Sequence, residues 1–406
     1  MTDRLPAGFG RDEAGQLLVA GRSAGDWVRQ AGDTPLFLYD GALLTARVQA
    51  FRATLPPELG LHYAVKANPY PPLLAHMAGL VDGFDVASAG EMDKALAAGM
   101  TAAHVSFAGP GKRDRELEAA VRTGVTLNVE SAGELERLAA IAGRLARPAR
   151  VALRVNPPFA LKGSGMKMGG AASPFGVDAA DAGPLLTRMA EAPFEFRGLH
   201  LFAGSQNLSV EAILQSQRQS VALSAQLLAE AGLQAPLINL GGGFGVPYFP
   251  GDTELDLGAL GAGLAEILAE RPPVLAGSRF ALELGRWLVA EAGVYLCRIT
   301  DIKQSGGEIF LVTDGGLHHQ LAATGNFGTV IRRNYPVVNA SRDSSARGPV
   351  SVVGCLCTPL DRLAEKAQFP ESRVGDLVAV FMAGAYGRSA SPEAFLGHPP
   401  PLERLI

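Results

Sequence analysis

The sequence predicts an α/β chain: a (β/α)8 barrel followed by a second, all-β domain. Three observations carry that expectation. Eight short apolar runs of strand length recur between residues 62 and 285. Segments whose apolar residues fall at three- and four-residue steps separate them, as amphipathic helices require. After about residue 286 the helical period stops, and alternating β segments joined by Gly, Ser and Asp take over.

The runs are "HYAVKA" (62–67), "GFDVAS" (83–88), "HVSFAG" (104–109) and "TLNVES" (126–131), then "RVALRVN" (150–156), "RGLHLFA" (197–203), "LINLGGG" (237–243) and "RFALELG" (279–285). Stretches such as "AGELERLAAIAGRLA" lie between them. Strand–helix alternation implies parallel strands with right-handed crossovers. Eight repeats match a closed barrel in number and size, with an open doubly wound sheet as the alternative. The expected barrel spans 36–286. The β domain takes 287–406, with segments such as "PVSVVGCLCT" and "GDLVAVFMAGAY", and is joined by residues 1–35.

Composition narrows the function classes. The chain has 406 residues, 48% hydrophobic and 19% charged, which suits a large buried core and more than one domain. The net charge is −4 and no basic block stands out, so nucleic acid is not an expected partner. The N-terminus lacks a charged-then-apolar leader, and no apolar run nears the roughly 18 residues of a membrane span. Three sparse cysteines, Cys297, Cys355 and Cys357, fit a reducing cytoplasm.

The run "LHYAVKANPY", 61–70, ends on a lysine. Tyr63, Ala64 and Val65 read as a buried strand, and Pro69 lacks the N–H a ladder needs. The expectation is a desolvated Lys66, where burial disfavours the charged amine. In a barrel the C-terminal strand ends form the reactive face. Other unusual residues fall at the same ends: Asp85 and Ser88, Arg154 and Asn156, His200, Phe202 and Ser205, Gly241 to Gly243, and Glu283 with Arg286. Singly, each reads as a solvated strand-end residue; together they converge on one rim. "LKGSGMKMGGAASPFG", 161–176, leaves that rim and is far longer than the usual connection. It reads either as a surface insertion or as a mobile lid.

The residue types suggest a chemistry. The triple glycine in "NLGGGFG" lets backbone N–H groups approach an anion, and Ser205 and Arg286 add donors suited to a phosphate. A lysine beside a phosphate cup suggests imine chemistry on a phosphorylated aldehyde. Pyridoxal 5′-phosphate supplies both groups, and Glu283 would then keep its ring nitrogen protonated.

At this point the chain resembles a known family. "YAVKAN", "FDVASAGE", "LRVN", "AGSQ", "GGGFG", "ELGR", "CLCTPLD" and "GAY" recur in order across nearly the whole length. As a set they are similar to the alanine-racemase-fold, pyridoxal-phosphate-dependent decarboxylases, such as those of diaminopimelate, ornithine and arginine. The resemblance implies Lys66 as the Schiff-base lysine, with Ser205, Gly241, Gly242, Gly243, Arg286 and Tyr386 around the phosphate. It implies Glu283 at the pyridine nitrogen, and Asp85 and Arg154 on the flanks of the ring. It also implies a head-to-tail homodimer in which Cys357 of one copy donates a proton in the other copy's site.

The departures shape the substrate expectation. Phe202 stands where the family usually stacks a histidine on the ring, and "ELGR" replaces "EPGR". The residue after the donor cysteine is acidic in enzymes for basic amino acids, whereas here it is Thr358. "GSGMKMGG", "HLFAGSQNL", "GNFGTVIRRNYP" and "CLCTPLD" look most like a branch associated with exosortase and exopolysaccharide clusters. That branch is similar to decarboxylases of amino acids attached to carrier proteins. Thr358 cannot hold a distal ammonium, although Asp361 could reach in its place. Lys162, Lys167, Arg332 and Arg333 read either as solvated charges or as a receiver for an anionic group.

The expected function is therefore α-decarboxylation of an acidic or carrier-protein-tethered amino acid. The alternatives are decarboxylation of a free diamino acid, racemisation on the same fold, or a non-catalytic cofactor carrier. Similar racemases pair the pyridine nitrogen with arginine, so Glu283 argues against the second. The paired His318-His319 would suggest a metal, but no other histidine or cysteine stands at ligand spacing, so the sequence assigns them to a loop. Cys355 reads as a small core residue and Cys297 as a buried strand residue.

Overall fold

Eight parallel strands close on themselves between residues 59 and 284. They are β1 (Leu59–Ala64), β2 (Gly83–Val86), β3 (Val105–Phe107), β4 (Thr126–Val129), β5 (Ala149–Asn156), β6 (Phe194–Leu201), β7 (Leu237–Asn239) and β8 (Arg279–Leu284). Each pairs in parallel with the next, and β8 returns to β1, with Glu283 opposite His62. Closure settles the topology as a barrel rather than an open sheet. The computed structural model describes residues 5–163, 166–167, 169–249, 251–325 and 333–406.

The strands read as apolar runs because both faces are covered, by helices outside and by side chains inside. Two helices begin at once after a strand end and a third follows the Gly204–Ser205 segment, and the sequence supplies the reason. Ser88, Ser131 and Ser209 cap the helices Ala89–Ala97, Ala132–Leu145 and Val210–Ala231. Each hydroxyl accepts a hydrogen bond from the backbone N–H three residues on, at 3.1–3.2 Å. Such a cap contributes about 1 kcal/mol and fixes where the rim turns into helix. Pro71 opens the helix Pro71–Ala78 in the first turn, where its missing N–H costs nothing.

The chain divides into two compact units. One comprises 47–246 with 253–287 and contains the barrel; the other comprises 1–46, 247–252 and 288–406. The second unit is built on a long strand, Gly293–Ser305, flanked antiparallel by Leu377–Phe381 and Glu308–Thr313. Beyond these lie Val337–Asn339 on one side, and Arg347–Val353 with Arg362–Pro370 on the other. Leu36–Tyr39 is buried throughout, as a barrel strand would be, yet its partners are Gly293–Leu296 and Leu402–Leu405. Residues 9–23 form a small three-stranded sheet of their own. Among the described residues no helix is long and apolar enough to cross a membrane.

Candidate active site

The lysine at the end of β1 is not buried. The strand stops at Ala64, and Val65–Ala67 form a 3-10 turn whose outer residues point inward. Lys66 therefore projects into the open barrel mouth, with 48% of its side chain exposed. The turn, rather than a strand terminus, carries it, which corrects the expectation of desolvation. Its Nζ lies 3.9 Å from Glu283 Oε1 and 5.6 Å from the centre of the Phe202 ring.

Beneath it sit two buried carboxylate–imidazole pairs. Glu283 Oε2 is 3.0 Å from His200 Nε2, and His62 Nδ1 is 3.2 Å from Asp85 Oδ2. Burial works against ionising Glu283. The hydrogen bond from His200 and the charges of Lys66, His200 and Arg154 outweigh it and pull the carboxyl down to about 2. Burial likewise disfavours charge on His62, but Asp85 raises its pKa overall, with help from Glu283 and Asp82. His200 Nδ1 and Asp85 Oδ1 are buried without a hydrogen-bond partner among the described residues. The sequence placed Asp85 and Glu283 on the rim, but His62 and the pairing of His200 went unread. The alternation of β1, which turns residues 60, 62 and 64 the same way, is the signal that reaches His62.

Glu130, at the end of β4, was also missed, although the strand-end rule that found Lys66 applies to it equally. One of its oxygens accepts from Gly109 N and from Arg154 Nη1 at 3.1 Å; the other accepts from Gly176 N at 3.0 Å. Arg154 also lies over the Phe175 ring at 5.1 Å. Asn156 Nδ2 donates to Asp178 Oδ1 at 2.7 Å. The long connection 161–176 is thus fastened at its far end to the barrel. At its near end, Lys162 O accepts from Asn207 Nδ2 at 2.5 Å. Between the two, Met166–Lys167 pairs antiparallel with Gly204–Ser205.

That pairing sits beside the triple glycine. Gly241 and Gly243 have φ of +68° and +105°, in the left-handed region where side chains are strained. A Cβ at Gly241 would come 2.4 Å from Leu201 O, and one at Gly242 would come 2.0 Å from Glu283 O. Asn207 N donates to Gly243 O at 2.8 Å, which ties the cradle to the Ser205 loop. Only glycine can occupy these positions, and what it leaves is bare backbone beside Ser205. The donor set and the cradle fit a phosphate, and Lys66 with the ionised Glu283 fits a pyridoxal ring. A cavity of about 580 Å³ opens at the opposite end of the barrel, lined by residues including Arg52, His62, Asn128 and Arg279. Strand-end chemistry and the cradle mark the other rim as the reactive one.

Arg286 is half-buried at the start of the short helix Arg286–Val289. In the second unit Tyr386 adopts φ +53°, a rarely occupied conformation that marks a constrained position. Cys357 is exposed and Cys297 is buried, while Cys355 is half-buried. Thr358 Oγ1 accepts from Leu360 N at 3.4 Å, within its own turn. Asp361 does not reach out: it is buried, with Oδ1 accepting from Leu317 N at 2.6 Å and Oδ2 from Leu356 N at 2.9 Å. Arg333 lies 4.1 Å over the Phe249 ring and 3.6 Å from Asp252. Arg332 and the Lys167 side chain fall outside the described residues.

Together the barrel, the rim lysine, the braced carboxylate and the glycine cradle define an α/β-barrel enzyme of the pyridoxal-phosphate class. The comparisons narrow the class. Residues 42–290, more than half of the chain, match the family described as "Pyridoxal-dependent decarboxylase, pyridoxal binding domain". The L-glutamyl-[BtrI acyl-carrier protein] decarboxylase of Niallia circulans is 38% identical over 92% of this chain and 89% of its own. The diaminopimelate decarboxylase of Aquifex aeolicus is 30% identical over 93% and 87%. The fold superimposes on diaminopimelate decarboxylase from M. jannaschii with a TM-score of 0.91, at 23% identity, covering 99% of this chain and 94% of that one. The chain belongs to the pyridoxal-dependent decarboxylase family. It is a pyridoxal-phosphate-dependent carboxy-lyase acting on an amino acid.

Proposed function

We propose that the protein removes the α-carboxylate of an amino acid whose far end is acidic or joined to a carrier protein. The observation behind this reading is the loop 355–361. Thr358 is uncharged and engaged in its own turn, and both oxygens of Asp361 are taken by backbone amides. A distal ammonium brought to this loop would find its one carboxylate buried and turned onto amides, and a desolvated charge without a partner is costly. Lys162, exposed at the near end of the Gly-rich connection, suits an anionic group instead. The Niallia circulans relative, named for an L-glutamyl group on an acyl-carrier protein, supports the same class.

When bound, pyridoxal phosphate supplies the electron sink that takes up the bonding pair left as CO₂ departs. Lys66 would hold it, with Ser205, the amides of Gly241 to Gly243 and Arg286 around its phosphate. Glu283, kept ionised by His200, would favour a proton on a ring nitrogen held beside it. Phe202 covers the site with an apolar ring, and Asp85 and Arg154, each held by its own partner, keep the flanks polar and fixed. Cys357 is the donor that returns a proton to Cα. Its exposure suits service in a second copy's barrel within a homodimer.

The test is CO₂ release from a panel: L-glutamyl-carrier protein, free glutamate, and free lysine, ornithine and diaminopimelate. Turnover should favour the tethered or acidic members. A free diamino acid turned over with kcat/KM of about 10⁴ M⁻¹s⁻¹ or more would end this reading. Mixing inactive Lys66→Ala and Cys357→Ala proteins should restore activity through hybrid dimers; none after verified subunit exchange removes the shared site.

A further inference from the structure

The second unit buries a histidine that bonds to nothing. His318 has no exposed surface, and neither ring nitrogen has a hydrogen-bond partner among the described residues. Leaving a buried polar group unsatisfied is costly and uncommon. Its neighbour His319 is equally buried but uses both nitrogens, Nδ1 with the Tyr295 hydroxyl at 3.0 Å and Nε2 with Pro399 O at 3.1 Å. The contrast points to a ligand at His318.

Two further donors stand beside it. Cys355 Sγ is 3.8 Å from each ring nitrogen of His398, and the His318 and His398 rings are 5.2 Å apart. One ligand atom from each of His318, Cys355 and His398 can be taken so that all lie within 4.8 Å of one another. A tetrahedral zinc ion, with bonds of about 2.3 Å to sulfur and about 2.0–2.1 Å to nitrogen, holds its ligand atoms roughly 3.4–3.6 Å apart. Closing the cluster takes a shift of about 1 Å, within reach of small side-chain rotations.

Two of the three segments, those carrying His318 and Cys355, are fixed in advance. Asp361 accepts from Leu317 N and Leu356 N, each next to one of the three residues. A Cβ at Gly316 or Gly354 would come within 2.2 Å of that carboxylate, so both segments pass close to it as glycine. Preorganised donors of this kind are what a metal site needs. Sequence spacing did not reveal it because the residues lie far apart in the chain and meet only in the fold.

We propose that His318, Cys355 and His398 bind one zinc-like divalent cation, with water in the fourth position. As the sulfur–metal bond forms, the Cys355 thiol releases its proton to solvent, and each imidazole binds through a neutral nitrogen. Two nitrogens and a sulfur select zinc or cobalt(II) over magnesium and calcium, which take oxygen. The ion acts as a clip: it ties the loop carrying Cys357 to the segments at 318 and 398.

The test uses the full-length protein with its cofactor, stripped by a chelator and titrated with zinc or cobalt(II). Metal retained after gel filtration is measured by mass spectrometry. One equivalent of zinc per chain is expected, with a thiolate-to-cobalt charge-transfer band in the cobalt form. Cys355→Ser and His398→Ala should each weaken binding by about tenfold or more, whereas Cys357→Ser should retain the metal. His398 is half-exposed, so its variant tests the site without opening a cavity, and circular dichroism verifies its folding. Three results overturn the site: under about a tenth of an equivalent in the unaltered protein, equal retention by Cys355→Ser and His398→Ala, or a cobalt form lacking the thiolate band.

Discussion

The barrel and the second unit place polar groups by different means. In the barrel each polar group of the rim sits at or just past a strand end, and ladder pairing sets who neighbours whom. Ala64 faces Asp85, His200 faces Arg154, and Glu283 faces His62 across adjacent strands. In the second unit the polar groups of interest lie in loops, held by one buried carboxylate between two glycines. A repeated element distributes its polar residues by rule, whereas a loop distributes them by individual contacts. The first kind survives the loss of a single contact better than the second, except where a charge is left alone.

The largest effect expected in the barrel is chemical. Lys66→Ala should abolish borohydride-fixed cofactor and lower turnover at least about 10³-fold, read by absorbance and CO₂ release. Undiminished turnover would remove the rim as the reactive face. Next comes Glu130→Ala, which leaves the Arg154 guanidinium without its carboxylate in a pair whose side chains are only 2% and 10% exposed. Breaking such a pair costs about 3–5 kcal/mol, measurable as a shift in the urea midpoint. In the second unit, Asp361→Asn keeps the shape but turns one acceptor into a donor that faces a backbone N–H. A loss of about 1–3 kcal/mol is expected, with cofactor absorbance unchanged. Should Asp361→Asn cost more than Glu130→Ala, the exception made for a charge left alone does not hold.

The smallest effect is on pH dependence, and it belongs to the barrel. Glu283 folds with its pKa lowered from 4.5 to about 2, so its stabilisation is complete above 4.5 and is lost as pH falls toward 2. His62 folds with its pKa raised above 6.5, so its contribution is complete below 6.5 and is lost as pH rises through the raised value. The two together favour the barrel most between about 4.5 and 6.5. His62→Gln should flatten the alkaline side of the stability profile, and Glu283→Gln the acidic side. Profiles that keep their shape in both variants would show that these pairs do not control it.

Much of this was legible in the sequence, and the reason is periodicity. Eight apolar runs gave the barrel, and the rule that chemistry collects at strand ends picked out Asp85, Arg154, Glu283 and the glycine cradle. Lys66 was found as a residue but not as an environment, because three residues of 3-10 turn separate a buried strand from an open mouth. Leu36–Tyr39 reads like a barrel strand, since burial on both faces looks the same in either sheet. Asp361 illustrates the limit: nothing in "CLCTPLD" says that its carboxylate turns back onto two amides. His318, Cys355 and His398 are silent for the same reason, since loops carry no period to reveal who meets whom.

The connection 161–176 carries one more consequence. Its feet are anchored, to Asn207 at Lys162 and to Glu130 at Gly176, and both anchors are contacts to its backbone rather than to its side chains. These two bonds therefore do not depend on side chains between them, although Phe175 packs on Arg154 and Gly169 and Gly170 have no room for a Cβ. An insertion bracketed in this way separates wording from attachment: part of its text can be rewritten while the brackets stay where they are.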